Sequence, residues 1–348
     1  MTKSPGHIEP LDGLRALAVT GVLVHHFGSG RFELGTYGVL LFFVISGFLI
    51  TGILLRIKNY VASGALTVGT GLRIFYIRRF LRIFPVYYLL LAALFMLDVP
   101  GVRQHIAWQG FYATNVWVAI HHRFEEATGP FWSLAVEEQF YLIWPLLILL
   151  LPIRFLRPMA WSLAIFAVAF RAFGTLLFHF DPLTTNTLLP GSLDSLSLGA
   201  LLAIGTDSVW LRRSGLVATL LVVAEICLEL MGKGVKLRLA TLNLFCVLSA
   251  VAAVGYAVEM PDSAWGRILS WKVLTYIGTI SYGIYLYHMP LNVLSGMSGL
   301  HTAVLTLIVA TLSWYLFEKP INRLKDRFPY LRIRANPVPV AESLVTAV

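Results

Sequence analysis

The sequence is poor in charged residues and in cysteine. Charged residues make up 13% of its 348 residues, against roughly 25% in a typical soluble domain. Hydrophobic residues make up 57%, and the mean hydropathy is +0.76. Cys227 and Cys246 lie in apolar stretches, which indicates buried thiols with no disulfide. This composition excludes an ordinary soluble enzyme and predicts an all-α integral membrane protein.

The sequence also lacks the short motifs of water-soluble catalysis. It contains no HExxH zinc motif, Walker loop, GxGxxG or GxSxG motif. His121 and His122 are adjacent rather than at a metal-ligand spacing, so no metal site is predicted. Asp12 and Arg15 interrupt the first apolar stretch and no small-residue cleavage site follows, which argues against a signal peptide. The net charge of +9 is attributed to cytoplasmic loops and anionic lipid, not to nucleic acid.

Apolar stretches long enough to span a membrane recur along the chain. At about 20 residues per span, the predicted spans lie at 12–29, 37–57, 80–98, 138–153, 159–180, 188–206, 215–231, 239–258, 273–297 and 300–317. With a cytoplasmic N-terminus, nineteen Lys and Arg residues fall inside and six outside. The positive-inside rule therefore predicts ten spans with both termini in the cytoplasm. Residues 1–330 form one membrane domain, and residues 331–348, which lack apolar periodicity, are expected to be a disordered cytoplasmic tail.

The first predicted span carries two ionisable residues on one helical face. Arg15 and His26 are eleven positions apart, almost three helical turns, or about 16 Å along the axis. Such a pair is costly in lipid and is expected to face a protein-lined cavity. His26 can take a proton from a hydroxyl, and Asp12 can hold the Arg15 guanidinium in place. The structural alternatives are a satisfied core histidine and an arginine that extends to the interface.

Three arginines, Arg78, Arg79 and Arg82, lie where a predicted cytoplasmic loop enters the membrane. Arg79 and Arg82 are about one helical turn apart and point the same way. They are either ordinary positive-inside anchors or an anion site, because the planar guanidinium suits phosphate. The second interpretation would fit a cytoplasmic, phosphate-bearing donor such as an acyl-coenzyme A.

Small residues mark the second predicted span. Gly35, Gly38 and Gly47, together with Ser46, permit close backbone approach between helices, so packing is the favoured interpretation. Ser46 is a further cavity candidate. Because no base lies next to it in the sequence, it is not assigned as a nucleophile.

Carboxylates occur at two further places. Glu137 and Glu138 precede an apolar stretch on the predicted outer side and point in different directions on a helix, so at most one is expected to face a given cavity. A carboxylate there could orient a sugar hydroxyl or an imidazolium, or simply be hydrated at the interface. Glu318, at the end of the last span, is either a cavity residue or an interface residue.

A polar series occupies one face of a later helix. Ser281, Tyr285 and His288 follow the i, i+4, i+7 spacing. This face could form a polar seam against the first helix, or its tyrosine could belong to an aromatic belt at the membrane interface.

Taken together, these stretches resemble the acyltransferase-3 family of integral-membrane O-acyltransferases over about residues 8–324. The matching segments are Arg15 with His26, the run at 42–50, Arg79 with Arg82, Trp132-Ser133-Leu134 with Glu137, the run at 281–288, and Glu318-Lys319-Pro320. Many members carry an aspartate where this chain has Leu40, so no role of that aspartate is carried over.

The resemblance implies about ten helices around a central cavity in a bacterial inner membrane, with no fused esterase-like domain. It implies transfer of an acyl group, expected to be acetyl, from cytoplasmic acyl-CoA (acetyl-CoA) as co-substrate to a hydroxyl of a carbohydrate or glycosylated acceptor. Arg78, Arg79 and Arg82 would hold the coenzyme A phosphates. No metal is implied.

His26 would then be a general base or a transient acyl carrier. Arg15 would position the donor or stabilise the developing oxyanion, and Glu137 is a further catalytic candidate. The alternative function is a transporter or flippase of a lipid-linked or small polar substrate, since ionisable residues at the membrane midplane suit that function equally well.

Overall fold

The computed structural model describes residues 8–28, 34–205, 213–223, 238–297 and 299–329. Within these ranges the chain is helical and contains no strand, as predicted. The predicted tail at 331–348 and Cys227 lie outside the described residues.

The α-helices, in chain order, are α1 (Glu9–Phe27), α2 (Leu34–Ala62), α3 (Val68–Met96), α4 (Val102–Gly110), α5 (Thr114–His121), α6 (Phe131–Leu150), α7 (Ile153–Leu176), α8 (Pro182–Thr187), α9 (Leu189–Ile204), α10 (Arg213–Val223), α11 (Arg238–Glu259), α12 (Ala264–Leu269), α13 (Lys272–Thr279), α14 (Ser281–Ser295), α15 (Leu300–Ser313) and α16 (Lys319–Arg323). A π-helical turn (Trp314–Glu318) joins α15 to α16, and a 3₁₀ turn (Leu324–Arg327) follows α16.

Six helical segments of the described chain are long and apolar enough to cross a membrane. They are Leu34–Ala62, Val68–Met96, Phe131–Leu150, Ile153–Leu176, Pro182–Ile204 and Leu300–Arg327. Each overlaps one of the ten predicted spans, so the chain is an all-helical protein with six candidate membrane-spanning helices. The count of ten and the cytoplasmic termini stay predictions.

Two of the other four predicted spans differ for a physical reason, and two adjoin residues outside the described ranges. The stretch at 12–29 corresponds to α1, which carries Glu9, Asp12 and Arg15. The stretch at 273–297 is divided between α13 and α14 at Ile280. The stretch at 239–258 corresponds to α11, and the stretch at 215–231 is described only as far as Val223.

Helix α1 lies at the centre of the packing. Pro10 in its first turn and Glu9 beside it suit the start of a helix. Leu14, Val19 and Val22 are fully buried against the neighbouring helices. This packing holds Arg15 near one end of a continuous helix and His26 near the other.

Glycines allow α2 to lie directly against its neighbours. A methyl group built on Gly47 would lie 2.0 Å from the Leu196 carbonyl oxygen of α9, and one built on Gly38 would lie 2.4 Å from the Ala18 carbonyl oxygen of α1. No side chain fits at such distances. The packing interpretation of this segment is therefore confirmed.

We expect Gly47→Ala to destabilise the protein, because the added methyl must push two helix backbones apart. Overpacking commonly costs about 1–3 kcal/mol, and here the obstacle is backbone rather than a flexible side chain. Gly52→Ala on the same helix is the matched control, since a methyl there meets no atom within 4 Å. Thermal melting of detergent-solubilised protein measures both, and equal melting temperatures would contradict this account of the packing.

Candidate functional site

A polar cavity lies among α1, α2, α3, α6 and α14. Its volume is about 90 Å³. The charged residues on its wall are Arg15, Arg79, Arg82, Glu137 and Glu138. Hydroxyl groups complete the polar lining, from Ser46, Ser133, Tyr141, Ser281, Tyr282 and Tyr285. The cavity therefore brings together predicted site residues from segments far apart in the sequence.

Arg15 is held by the residue that the sequence proposes for it. Its Nη1 donates to Asp12 Oδ1 over 3.2 Å, one turn earlier on α1. The Asp12 side chain is buried, whereas the Arg15 side chain keeps 18% of its surface exposed. The ion pair fixes one edge of the guanidinium while Arg15 still lines the cavity.

Arg79 and Arg82 bring positive charge to the same cavity. Thr67 caps the start of α3 by accepting from the Thr70 backbone N–H, and both arginines project from this helix to the cavity wall. The Arg79 guanidinium carbon lies 5.2 Å from the centre of the Tyr141 ring, a cation–π contact. In the described part of the chain, neither arginine forms an ion pair within 4 Å. Their charge is therefore available to an anionic ligand.

Arg78 does not line this cavity. Its Nη1 donates to the backbone carbonyls of Lys325 over 2.8 Å and of Phe328 over 3.0 Å. It ties α3 to the segment after α16 instead. The expectation that Arg78 joins Arg79 and Arg82 therefore needs correction, because consecutive helical residues point about 100° apart.

Ser46 has a base beside it, contrary to the sequence-based expectation. Its Oγ donates to Glu137 Oε1, a residue 91 positions away in the chain, and accepts from the Tyr141 hydroxyl over 2.9 Å. Glu137 and Glu138 both line the cavity, although only one was expected to. The cavity extends around the side of α6, so that adjacent residues both reach it.

A larger and mostly apolar groove adjoins the polar cavity. Its volume is about 740 Å³, and it lies between α3, α6 and the segment after α16. Arg79, Glu138 and Tyr141 line both the groove and the cavity. An elongated molecule lying in the groove can therefore place one end in the polar cavity.

His26 lines a different cavity, at the other end of α1. This second cavity has a volume of about 350 Å³. Arg15 is not among its lining residues, so the expectation of one hollow shared by Arg15 and His26 is wrong. Val39 and Tyr285 line both cavities, so the boundary between the two cavities, named the partition, lies at these residues. The Tyr285 hydroxyl donates to the Pro130 carbonyl over 3.1 Å and lies 2.7 Å from Ser133 Oγ, which holds its ring in the partition.

The hydrogen bonds of His26 define its basic nitrogen. Its Nδ1 lies 3.0 Å from the Val22 carbonyl oxygen. A carbonyl can only accept, so Nδ1 carries the proton and Nε2 keeps a lone pair. The ring is exposed on the cavity wall. His26 can therefore accept a proton from a group in the second cavity.

His288 lies against His26. This is the contact between α14 and α1 that a polar seam between the two helices would need. Their ring centres are 4.9 Å apart. His288 is fully buried, and its Nδ1 donates to the Tyr285 carbonyl over 2.6 Å. Its Nε2 has no hydrogen-bond partner among the described residues. Ser281 begins α14 and faces the polar cavity instead.

Glu318 belongs to neither cavity. It ends the π-helical turn, is buried, and its Oε1 accepts from Ser313 Oγ over 2.9 Å. The described residues also include no group of three His, Cys, Asp or Glu side chains that could hold a metal ion.

Comparison with known proteins adds evidence that the geometry alone does not supply. The family Acyl_transf_3, described as "Acyltransferase domain", matches residues 8–318. The peptidoglycan O-acetyltransferase OatA of Listeria monocytogenes is 29% identical over 91% of this chain and 56% of its own length. The O-acetyltransferase OatA of Staphylococcus aureus is 30% identical over 92% of this chain and 58% of its own length.

The chain thus spans a little over half the length of these curated relatives. No solved structure matches it.

Proposed function

The chain belongs to the acyltransferase domain family that matches residues 8–318, and from this premise we propose that it is a membrane O-acetyltransferase. It transfers an acetyl group from cytoplasmic acetyl-CoA to a hydroxyl of a carbohydrate in or next to a bacterial inner membrane. The observation that carries the proposal is the pair of cavities. Free guanidinium groups line one, a basic imidazole nitrogen lines the other, and α1 contributes to both.

The arginine cavity is the donor site of this proposal. Arg79 and Arg82 contact the phosphates of coenzyme A through paired, charge-assisted hydrogen bonds. The cavity volume of about 90 Å³ is small beside the adjoining groove of about 740 Å³, so the cavity receives only part of the donor. The rest of the donor therefore lies in the adjoining groove, which Arg79 also lines.

Arg15 positions the donor. Its guanidinium is anchored by Asp12, so it is oriented before the substrate arrives. Because His26 lies about 16 Å further along α1, the acetyl carbon that meets the acceptor lies beyond Arg15, whose guanidinium binds a polar group of the donor nearer its phosphates. Glu137, bound to Ser46 on the same wall, supports the cavity's polar lining and is a further candidate for proton transfer there.

His26 acts on the acceptor. As a general base, its Nε2 takes the hydroxyl proton while the oxygen forms a bond to the acetyl carbon and the coenzyme A thiolate leaves. As an acyl carrier, Nε2 itself attacks the thioester, and the acceptor hydroxyl then displaces the imidazole. In both versions the thiolate leaves, is protonated and gives free coenzyme A.

The partition at Tyr285 separates donor from acceptor, so it must open for transfer. We expect Tyr285→Phe, which loses two hydrogen bonds worth about 0.5–1.5 kcal/mol each, to open the partition more often. Water then reaches the thioester, and release of coenzyme A without acceptor rises by about tenfold. Tyr315→Phe, at an exposed position on the π-helical turn, is the control. An unchanged release rate would argue against a partition at this residue.

The proposed activity is tested with purified protein and radiolabelled acetyl-CoA. Label that appears on an added peptidoglycan fragment, with stoichiometric release of coenzyme A, supports an acetyltransferase. Protein that moves such fragments across proteoliposomes without labelling them or releasing coenzyme A would instead be a transporter.

A further inference from the structure

The cavity around His26 differs in charge from the arginine cavity. Its polar side chains are His25, His26, Thr36, Glu125, Glu126, Trp132 and Tyr285. Neither lysine nor arginine is among the described residues that line it. An anionic group therefore meets no lysine or arginine among these described lining residues, whereas three guanidinium groups line the arginine cavity beside Glu137 and Glu138.

We propose that this cavity is the acceptor-binding site, and that Glu125, Glu126 and Trp132 make it selective for an uncharged sugar ring. The inference rests on the acetyltransferase function proposed above, and it names the residues that choose the acceptor. Ionised carboxylates can only accept hydrogen bonds, so they suit the hydroxyl donors of a sugar and repel acidic sugars.

Glu125 is the anchored carboxylate of the pair. Its Oε1 lies 3.5 Å from His105 Nε2 and 3.7 Å from Arg123 Nη2, and its side chain is 18% exposed. The Arg123 guanidinium also lies 5.6 Å from the ring centre of Trp117. These contacts fix the position of the carboxylate in the loop between α5 and α6, which gives the cavity a preorganised acceptor of hydrogen bonds.

Glu126 carries a charge that no described side chain neutralises. It is exposed on the cavity wall and, within the described ranges, forms no ion pair or hydrogen bond. Its negative charge is therefore available to discriminate between neutral and anionic acceptors.

Trp132 gives the cavity an aromatic face. It is partly buried at the start of α6, with Phe43 edge-on to its ring at 6.2 Å between centres. A rigid aromatic surface with polar groups at its edge is a common way to bind a ring that is apolar on its faces and polar on its rim. A sugar placed against Trp132 lies in the same cavity as the His26 ring, so one of its hydroxyls can reach Nε2.

The charge selectivity is tested with two probes that differ only in charge. They are the methyl glycoside of N-acetylmuramic acid and its primary carboxamide, which present the same ring hydroxyls. For the wild-type protein we expect kcat/KM to be about fivefold higher for the carboxamide, a size typical of a partly exposed charge pair. Glu126→Gln should bring this ratio close to one. Asp262→Asn, at an exposed position that lines neither cavity, should leave both the ratio and the acceptor-independent release of coenzyme A unchanged.

The aromatic face is tested by Trp132→Ala and Trp132→Phe. We expect alanine to raise the KM of the carboxamide probe by about tenfold, and phenylalanine to restore most of the affinity. Equal kcat/KM of wild type for both probes, or a ratio unaffected by Glu126→Gln, would overturn this inference alone. A wild-type protein that cleaves no acetyl-CoA with either probe would overturn the proposed function as well.

Discussion

Replacing His26 with alanine is expected to lower acetyl transfer by about 10²–10⁴-fold, the usual contribution of a positioned general acid or base. The lone pair on Nε2 is the basic site that the second cavity offers, because Nδ1 is committed to the Val22 carbonyl. Donor affinity should stay within about twofold, since Arg79 and Arg82 line the other cavity and distant sites act nearly independently. Incorporation of label at saturating acetyl-CoA measures the rate of acetyl transfer. Calorimetry with coenzyme A measures the affinity for the donor.

The control for this variant is His301→Ala. His301 is exposed near the start of α15 and lines neither cavity. It should retain full transfer. If His26→Ala keeps more than about a tenth of wild-type transfer, His26 is neither base nor carrier.

The same variant separates the two mechanisms for His26. In the carrier version, wild-type protein incubated with acetyl-CoA without acceptor gains one acetyl mass on the peptide that contains His26. In the base version no acetyl is attached, and without acceptor coenzyme A is released only by slow hydrolysis of acetyl-CoA. Mass spectrometry of acid-quenched protein distinguishes these outcomes, with His26→Ala as the blank.

Local features of the site follow directly from sequence periodicity. Arg15 and His26 were expected on one helix because one apolar stretch contains both, and α1 is continuous through both. Arg79 and Arg82 were expected on one face and do line one cavity. Helical spacing determines such relations, since they depend only on residues of the same helix.

Relations between helices could not be predicted in this way. Ser46 meets Glu137 across 91 positions, and no pattern within α2 or α6 indicates that pairing. The partition at Tyr285 also escaped prediction, because it depends on how a ring fills the space between packed helices. The structure therefore contains two cavities where the sequence predicted one.

Glu125 and Glu126 were missed for a different reason. They lie in the loop between α5 and α6, where no helical or strand period places a side chain relative to the rest of the molecule. Their position next to His26 arises only from the fold, which turns this loop over the end of α1. The nearest residue that the sequence analysis singled out is Trp132, six positions after Glu126. It belongs to the segment Trp132-Ser133-Leu134, which resembles a family motif.

The double variant Arg79→Ala, Arg82→Ala is expected to weaken acetyl-CoA binding by about 10²–10⁴-fold. Hydrogen bonds to charged groups are worth about 1.5–3 kcal/mol each, so losing one from each arginine costs roughly 3–6 kcal/mol, at about 1.4 kcal/mol per tenfold change. The variant should still fold, because neither arginine forms an ion pair in the described ranges. Its two substitutions also relieve the repulsion among Arg15, Arg79 and Arg82, which line one cavity. Arg73→Ala, exposed on the same helix, is the matched control.

The conservative double variant Arg79→Lys, Arg82→Lys tests whether geometry matters beyond charge. Lysine keeps the charge but loses the planar fork that pairs with phosphate, so its affinity should fall between wild type and the alanine variant. Wild-type affinity should also decline with added salt, because exposed charge interactions are screened over about 10 Å at 0.1 M. Unchanged affinity in a folded alanine variant would show that these arginines are membrane anchors. The donor phosphates would then have to bind elsewhere, with Arg327 at the far side of the groove as the remaining cation on its wall.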